Sequence, residues 1–229
     1  MRETDKIFIN IHGHRQANNI QEWVMQNLMA EDYPPQDIET GYYSVGLHPY
    51  SVGKVSHEDA LNKVRLSTEN PNVFAIGEIG LDKSIGTSLE LQRKIFEAQV
   101  EIAEFAELPV ILHVVRAFNE MIEFMKSSKP VVNMIVHGYN GGPRMAEDLL
   151  RAGFLISFGE AIARKESKAV EALRQVPVEK MFLETDEGEM DIREIYQLTS
   201  GYKEISVDHL RVQIFENART HLSRFASIL

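Results

Sequence analysis

Short apolar runs in this chain repeatedly end on His, Glu or Asp. His12 and His14 close IFINIHGH, Glu78 stands in VFAIGEIGLD, His113 follows PVIL, His137 follows VVNMIV and Asp186 follows MFLET. All six side chains can ligate a metal ion. A strand that ends on such a residue aims it at a point beyond the strand. Several strands share that point only when they run parallel in one sheet, so the pattern predicts one parallel scaffold converging on one site.

The rest of the chain agrees with a parallel scaffold. Apolar, β-branched runs near 7–11, 42–47, 73–79, 109–112, 131–136, 154–158 and 181–183 read as strands. Helical patterning fills 88–107, 118–127, 143–152, 166–175 and 207–227, with Leu91, Ile95, Phe96, Ala98, Ile102, Ala103 and Phe105 forming the clearest apolar stripe. Ser88 stands where an N-cap is expected, and Pro109, Pro130 and Pro177 fall between helix and strand. Alternating β and α segments favour a parallel sheet covered on both faces. Seven strands and a weak eighth region around 198–206 predict a single TIM-like (β/α)8 barrel over residues 1–229, somewhat short of the usual size. An open doubly wound sheet is the alternative. A closed barrel is preferred because it points every strand C-terminus at one mouth.

A chain with 44% hydrophobic and 25% charged residues is composed like a soluble protein with a sizeable core. It has no cysteine, so any metal must be held by nitrogen and oxygen. No positive leader with a long apolar stretch opens the sequence, and no run of apolar residues is long enough to span a bilayer. The expectation is a cytoplasmic protein with no membrane partner and no obligate protein partner. The net charge of −10 argues against a broad electrostatic grip on nucleic acid. It does not exclude a nuclease, because two divalent ions would place positive charge where a phosphate must sit.

Each candidate ligand also has an ordinary reading. His12 and His14, two apart on an extended strand, project to one side and can share an ion, or are a surface pair at a strand end. Asn10 is placed to orient one of these rings. Glu78 is costly to bury unless paired or bound to a cation, and its two oxygens can bridge two ions. His113 and His137 taken singly are ordinary hydrogen-bonded strand-end residues; matched in position, they favour ligation. Asp186 is placed to accept the proton of an attacking water, or to cap a following helix. Glu184 reads as the residue backing a ligand, and Asp82 as the start of a turn.

The stretches IHGH, GLHP, IGEIGLD, ILH, VHGYNG, AGFLISFGEA and LETD, in this order, resemble the TatD family of metal-dependent deoxyribonucleases within the amidohydrolase-like metal barrels. The tail VDHLRVQIFENARTHL, with Asn217, resembles the family's closing helix. The resemblance implies that His12, His14 and Asp186 hold one divalent ion, that His113 and His137 hold a second, and that Glu78 bridges them. The ions would be Zn²⁺, Mn²⁺ or Mg²⁺, with His-rich ligation leaning to the first two. Asp186 and Glu78 are the implied catalytic carboxylates, and DNA or a short oligonucleotide is the implied substrate, with 3′-to-5′ exonuclease action as one form. His48 resembles a substrate-pocket histidine, and it also reads as a hydrogen-bonded loop residue. Two readings stand for Arg116: a cation holding phosphate, or a solvated residue at a helix start.

The chain departs from the family pattern in places. Asn10 replaces the usual Asp, and Tyr50 replaces the second His of GxHPH. The Pro-containing aromatic loop after the last ligand is replaced by Glu187-Gly188-Glu189-Met190-Asp191, whose three acidic residues would repel a polyanion or attract further cations. The same metal site acting on a small-molecule ester, amide or lactone is therefore the second reading. A barrel that binds metal or a partner without catalysis is the third.

Overall fold

Strands β1 (Phe8–Gly13), β2 (Glu22–Met29), β3 (Tyr42–Gly46), β4 (Val73–Asp82), β5 (Val110–Val115), β6 (Met134–Val136), β7 (Leu155–Phe158) and β8 (Met181–Leu183) pair in sequence order, each parallel to the next. The structure is a computed structural model and describes residues 7–17, 21–36 and 38–227. The first and last strands meet at a parallel bridge between Gly13 and Asp186. There the His14 N–H donates to the Asp186 carbonyl at 3.2 Å, and the Asp186 N–H donates to the His12 carbonyl at 3.0 Å. The result is a nearly closed TIM-like (β/α)8 barrel.

Seven α-helices occur among the described residues: α1 (His57–Ser67), α2 (Leu89–Phe105), α3 (Phe118–Ser128), α4 (Pro143–Ala152), α5 (Lys168–Gln175), α6 (Ile192–Lys203) and α7 (Val207–His221). One helix follows each strand from β3 to β7, and two follow β8. Between β1 and β3 the described residues contain no α-helix, only a 3₁₀ turn at Ala30–Asp32. The expected eighth strand at 198–206 is corrected: that stretch lies mostly in the last turns of α6. The strand that completes the barrel is β2, whose Glu22, Gln26 and Asn27 interrupt any apolar run.

Local sequence explains the helix ends. Ser56, Ser88, Ser167 and Ser206 each accept an N–H from the third helical residue, at 3.3, 3.3, 3.3 and 3.1 Å. α4 begins at Pro143 and stops at Gly153, which takes the left-handed conformation at φ 99°. The α2 residues Ile95, Phe96, Val100, Ile102 and Ala103 are buried with the barrel wall. α6 and α7 return to β1: the Tyr196 hydroxyl donates to the Ile9 carbonyl and accepts its N–H, at 3.0 and 3.1 Å. At the N-terminal strand ends Trp23 stacks on Tyr42, with ring centroids 5.2 Å apart, and meets Phe74 and Phe225 edge-on. The aromatic residues thus occupy one end of the barrel, and the polar groups described next occupy the other.

Candidate metal centre

Glu78 stands at the middle of the histidine cluster. Its Oε1 lies 2.6 Å from His113 Nδ1 and 2.6 Å from His137 Nε2, and its Oε2 lies 3.5 Å from His12 Nε2. The sequence Gly-Glu-Ile-Gly permits this position. Gly80 (φ 149°) lies so close to β5 that a Cβ there would run into the His113 carbonyl. β4 and β5 therefore press together beside the ligands. The Glu78 N–H donates to Asn27 Oδ1 at 2.9 Å, and Asn27 also accepts from the Ser44 hydroxyl at 3.3 Å.

The second cluster lies at the barrel seam. Asp186 Oδ1 is 3.5 Å from His12 Nε2 and 3.4 Å from His14 Nε2. The bridge between Gly13 and Asp186 brings these groups together, and Asp186 takes the left-handed backbone conformation (φ 53°) that Asp tolerates better than most residues. Asp186 does not cap the next helix. Asp191 does, accepting the Arg193 N–H at 2.8 Å. The six predicted ligands are thus placed in two adjoining groups: His12, His14 and Asp186, and Glu78, His113 and His137.

Two carboxylates stand behind the candidate ligands. Glu184, fully buried, accepts the Gly138 N–H at 2.5 Å and lies 3.4 Å from His137 Nδ1. Asp82 starts a turn, accepting the Ser84 N–H and hydroxyl at 2.7 and 2.6 Å, and it also sets its other oxygen 3.4 Å from His113 Nε2. Asn10 does not orient either ring of the His12–His14 pair. Its amide donates to Glu22 and Thr185 at 3.0 and 2.9 Å and accepts the Thr185 N–H at 3.1 Å, joining β1 to β2 and to the segment after β8. Asn27 is the residue that sequence reasoning missed, because its strand was itself missed.

Electrostatics follow from this crowding. Burial opposes the charge on Glu78, but the nearby His137, the hydrogen bond with His113 and the nearby His12 hold its carboxyl well below the usual range. Burial likewise opposes the charge on Asp186, and His12 and His14 outweigh it, lowering its pKa. Burial and the neighbouring His137 disfavour a charged His12, yet Asp186 and Glu78 push its pKa up to about 9. His137 is also raised well above the ordinary imidazole value, Glu78 and Glu184 overcoming its burial.

These residues fit a divalent cation. Imidazole nitrogens and ionised carboxylates make up the donor set, and both ring nitrogens of fully buried His12 lack a hydrogen-bond partner.

The centre opens into a 340 Å³ cavity lined by His14, Met29, His48, Tyr50, Asp186 and Glu187, among others. His48 Nδ1 accepts the Tyr50 N–H at 3.0 Å, so in the neutral ring the proton sits on Nε2, which faces Glu78 Oε1 at 3.4 Å. His48 therefore presents a donor to the cavity. Arg116 stands exposed just beyond β5 in a left-handed conformation (φ 55°) and is not among the lining residues. Of the acidic loop, Glu187 lines the cavity, whereas Asp191 is committed to its helix cap and to Arg193.

The pattern of the TatD related DNase family matches residues 18–223. The chain is 31% identical over 169 residues to the metal-dependent hydrolase YjjV of Escherichia coli, covering 72% of this chain and 62% of that protein. It is 32% identical over 147 residues to the 3′-5′ ssDNA/RNA exonuclease TatD of Erwinia tasmaniensis, covering 62% of this chain and 56% of the relative. The chain thus covers less than two-thirds of these relatives' lengths. The crystal structure of E. coli YjjV matches with a TM-score of 0.83 at 22% identity, covering 96% of this chain and 99% of that one, and shares the fold. With the family pattern running across nearly the whole barrel, the chain belongs to the TatD related DNase family.

Proposed function

We propose that the chain is a divalent-metal-dependent phosphodiesterase that cleaves nucleic acid, with DNA or a short oligonucleotide as substrate. The observation that carries this reading is the place of Glu78 between the two ligand groups, with one oxygen toward His113 and His137 and the other toward His12. His12, His14 and Asp186 would hold one ion, His113 and His137 a second, and Glu78 would serve both. Such ions polarise a phosphoryl oxygen and lower the pKa of water at the site. Relatives named as metal-dependent hydrolases and as an exonuclease support divalent metal use and this substrate class.

The chain's own groups then have distinct tasks. Asp186, kept ionised at neutral pH, accepts the proton of the attacking water. The His48 Nε2–H donates to a phosphate oxygen in the cavity. Glu184 and Asp82 hold the His137 and His113 rings in place.

A specific observation favours the second reading, hydrolysis of a small-molecule ester, amide or lactone: Glu187 sets a carboxylate in the cavity wall against any polyanion. One experiment separates the two. The metal-loaded protein is assayed with Mg²⁺, Mn²⁺ and Zn²⁺ on single-stranded DNA, RNA and a lactone and ester panel, beside Asp186→Asn. Asn keeps the shape without the charge and tolerates the same backbone, so the variant should fold and lose about 100-fold or more of its nuclease turnover. Nucleic acid left intact with every metal, while a lactone or ester turns over, would sink the nuclease reading.

A further inference from the structure

Tyr50 occupies an unusual position for an exposed aromatic. Among the described residues five large hydrophobic side chains are exposed, and Tyr50, at 59%, is the one that lines the cavity over the candidate metal centre. Its neighbours fix its backbone. The Tyr50 N–H donates to His48 Nδ1 at 3.0 Å, the Ser51 N–H to the His48 carbonyl at 2.9 Å, and the Lys54 N–H to the Ser51 carbonyl at 2.9 Å. The Ser51 hydroxyl ties this turn to Glu31 at 2.5 Å. The ring is therefore presented from a rigid turn, two residues from the donor His48.

The ring also carries a cation. The Lys54 ammonium lies 3.0 Å from the Tyr50 ring centroid. An exposed tyrosine under a lysine is ordinary on a protein surface. At the mouth of this cavity it meets a need that the rest of the chain leaves open. With a net charge of −10 and Glu187 in the cavity wall, phosphate neutralisation by the protein surface is weak. Base–aromatic stacking does not depend on charge and tolerates any base.

We propose that Tyr50, with Lys54 against its ring, is a nucleobase subsite: the base beside the phosphate to be cleaved stacks on the tyrosine, and Lys54 adds positive charge beside the strand. The ligand is an unpaired base of a single-stranded nucleic acid, since a base in a duplex keeps its faces covered by its own neighbours. The inference rests on the phosphodiesterase reading and adds the feature of the substrate that is recognised.

The test uses the metal-loaded protein and a single-stranded DNA decamer, with and without a tetrahydrofuran abasic residue at its 3′ end. Tyr50→Ala should raise KM for the ordinary decamer about 5- to 100-fold while kcat moves little, and Tyr50→Phe should stay near wild type. On the abasic decamer wild type and Tyr50→Ala should have the same KM. Equal KM values on the ordinary decamer, or a Tyr50→Ala defect that persists without the base, would overturn the subsite. Binding of a fluorescein-labelled phosphorothioate decamer, followed by anisotropy, keeps the two proposals apart. A protein that cleaves no nucleic acid but binds the decamer several-fold more weakly as Tyr50→Ala retains the subsite and loses the phosphodiesterase reading. Binding that does not respond to Tyr50→Ala removes the subsite. Because Tyr50 is exposed, thermal melts of both variants should match wild type.

Discussion

The side chain of Asn27 holds the backbone of Glu78, its Oδ1 accepting the Glu78 N–H at 2.9 Å inside the barrel. Neither residue is near the other in sequence, and the contact sets the central carboxylate from a neighbouring part of the wall.

Asn27→Ala should therefore act at a distance. It leaves the buried Glu78 N–H without an acceptor, which costs about 1–3 kcal/mol of stability. Loosening the carboxylate should also weaken metal uptake by about 10- to 100-fold, as loss of an orienting partner usually does. Thermal melting and metal titration of the stripped protein measure the two effects. Unchanged metal affinity in a destabilised protein would show that Asn27 supports only the fold.

Metal uptake should release protons. The His12 pKa of about 9 leaves that ring protonated at neutral pH in the stripped protein, and a cation requires it neutral. Apparent metal affinity should rise with pH through about 9. Calorimetry at pH 7 in buffers of different ionisation enthalpy reads the released protons directly, and identical heats in all buffers would contradict the assignment. Stability of the stripped protein has its own sign. The raised His12 and His137 contribute stabilisation that is fully present below the ordinary imidazole value of 6.5; the His12 part is lost as pH rises through about 9, and the His137 part as pH rises through that group's own raised value. The depressed Glu78 and Asp186 contribute stabilisation that is present above the usual carboxylate range and lost in acid.

Much of the centre was readable from residue order, because strand ends at His12, Glu78, His113, His137 and Asp186 are adjacent in the chain to their own apolar runs. What lay outside that signal needed three dimensions. β2 has no apolar run to announce it, so Asn27 was invisible. α1 buries only Ala60, Val64 and Ser67, and its Leu66 is exposed, so its sequence carries no clear stripe. The region 198–206 reads as a weak eighth strand, yet Ile192, Ile195, Tyr196 and Thr199 are spaced for a helix face, and the helix carries on through Gly201. Asn10 stands two residues before His12, and its bonds go instead to Glu22 on β2 and across the seam to Thr185.

Glu187→Gln removes the acidic side chain of the 187–191 segment that lines the cavity. If the substrate is a nucleic acid, KM for an oligonucleotide should fall several-fold at low salt, and the gain should shrink as salt screens the charge. A small neutral ester or lactone should not respond. Steady-state kinetics at two ionic strengths distinguish these outcomes.

The bridge between Gly13 and Asp186 has a consequence for synthesis. Two ligands are made near the start of the chain and Asp186 is made near its end, and the same backbone bonds that seal the barrel bring them together. A nascent or truncated chain that has not yet produced the segment after its last strand carries every other candidate ligand but cannot complete the centre. The metal centre is thereby withheld from the growing polypeptide and is assembled only once the circle of strands is shut.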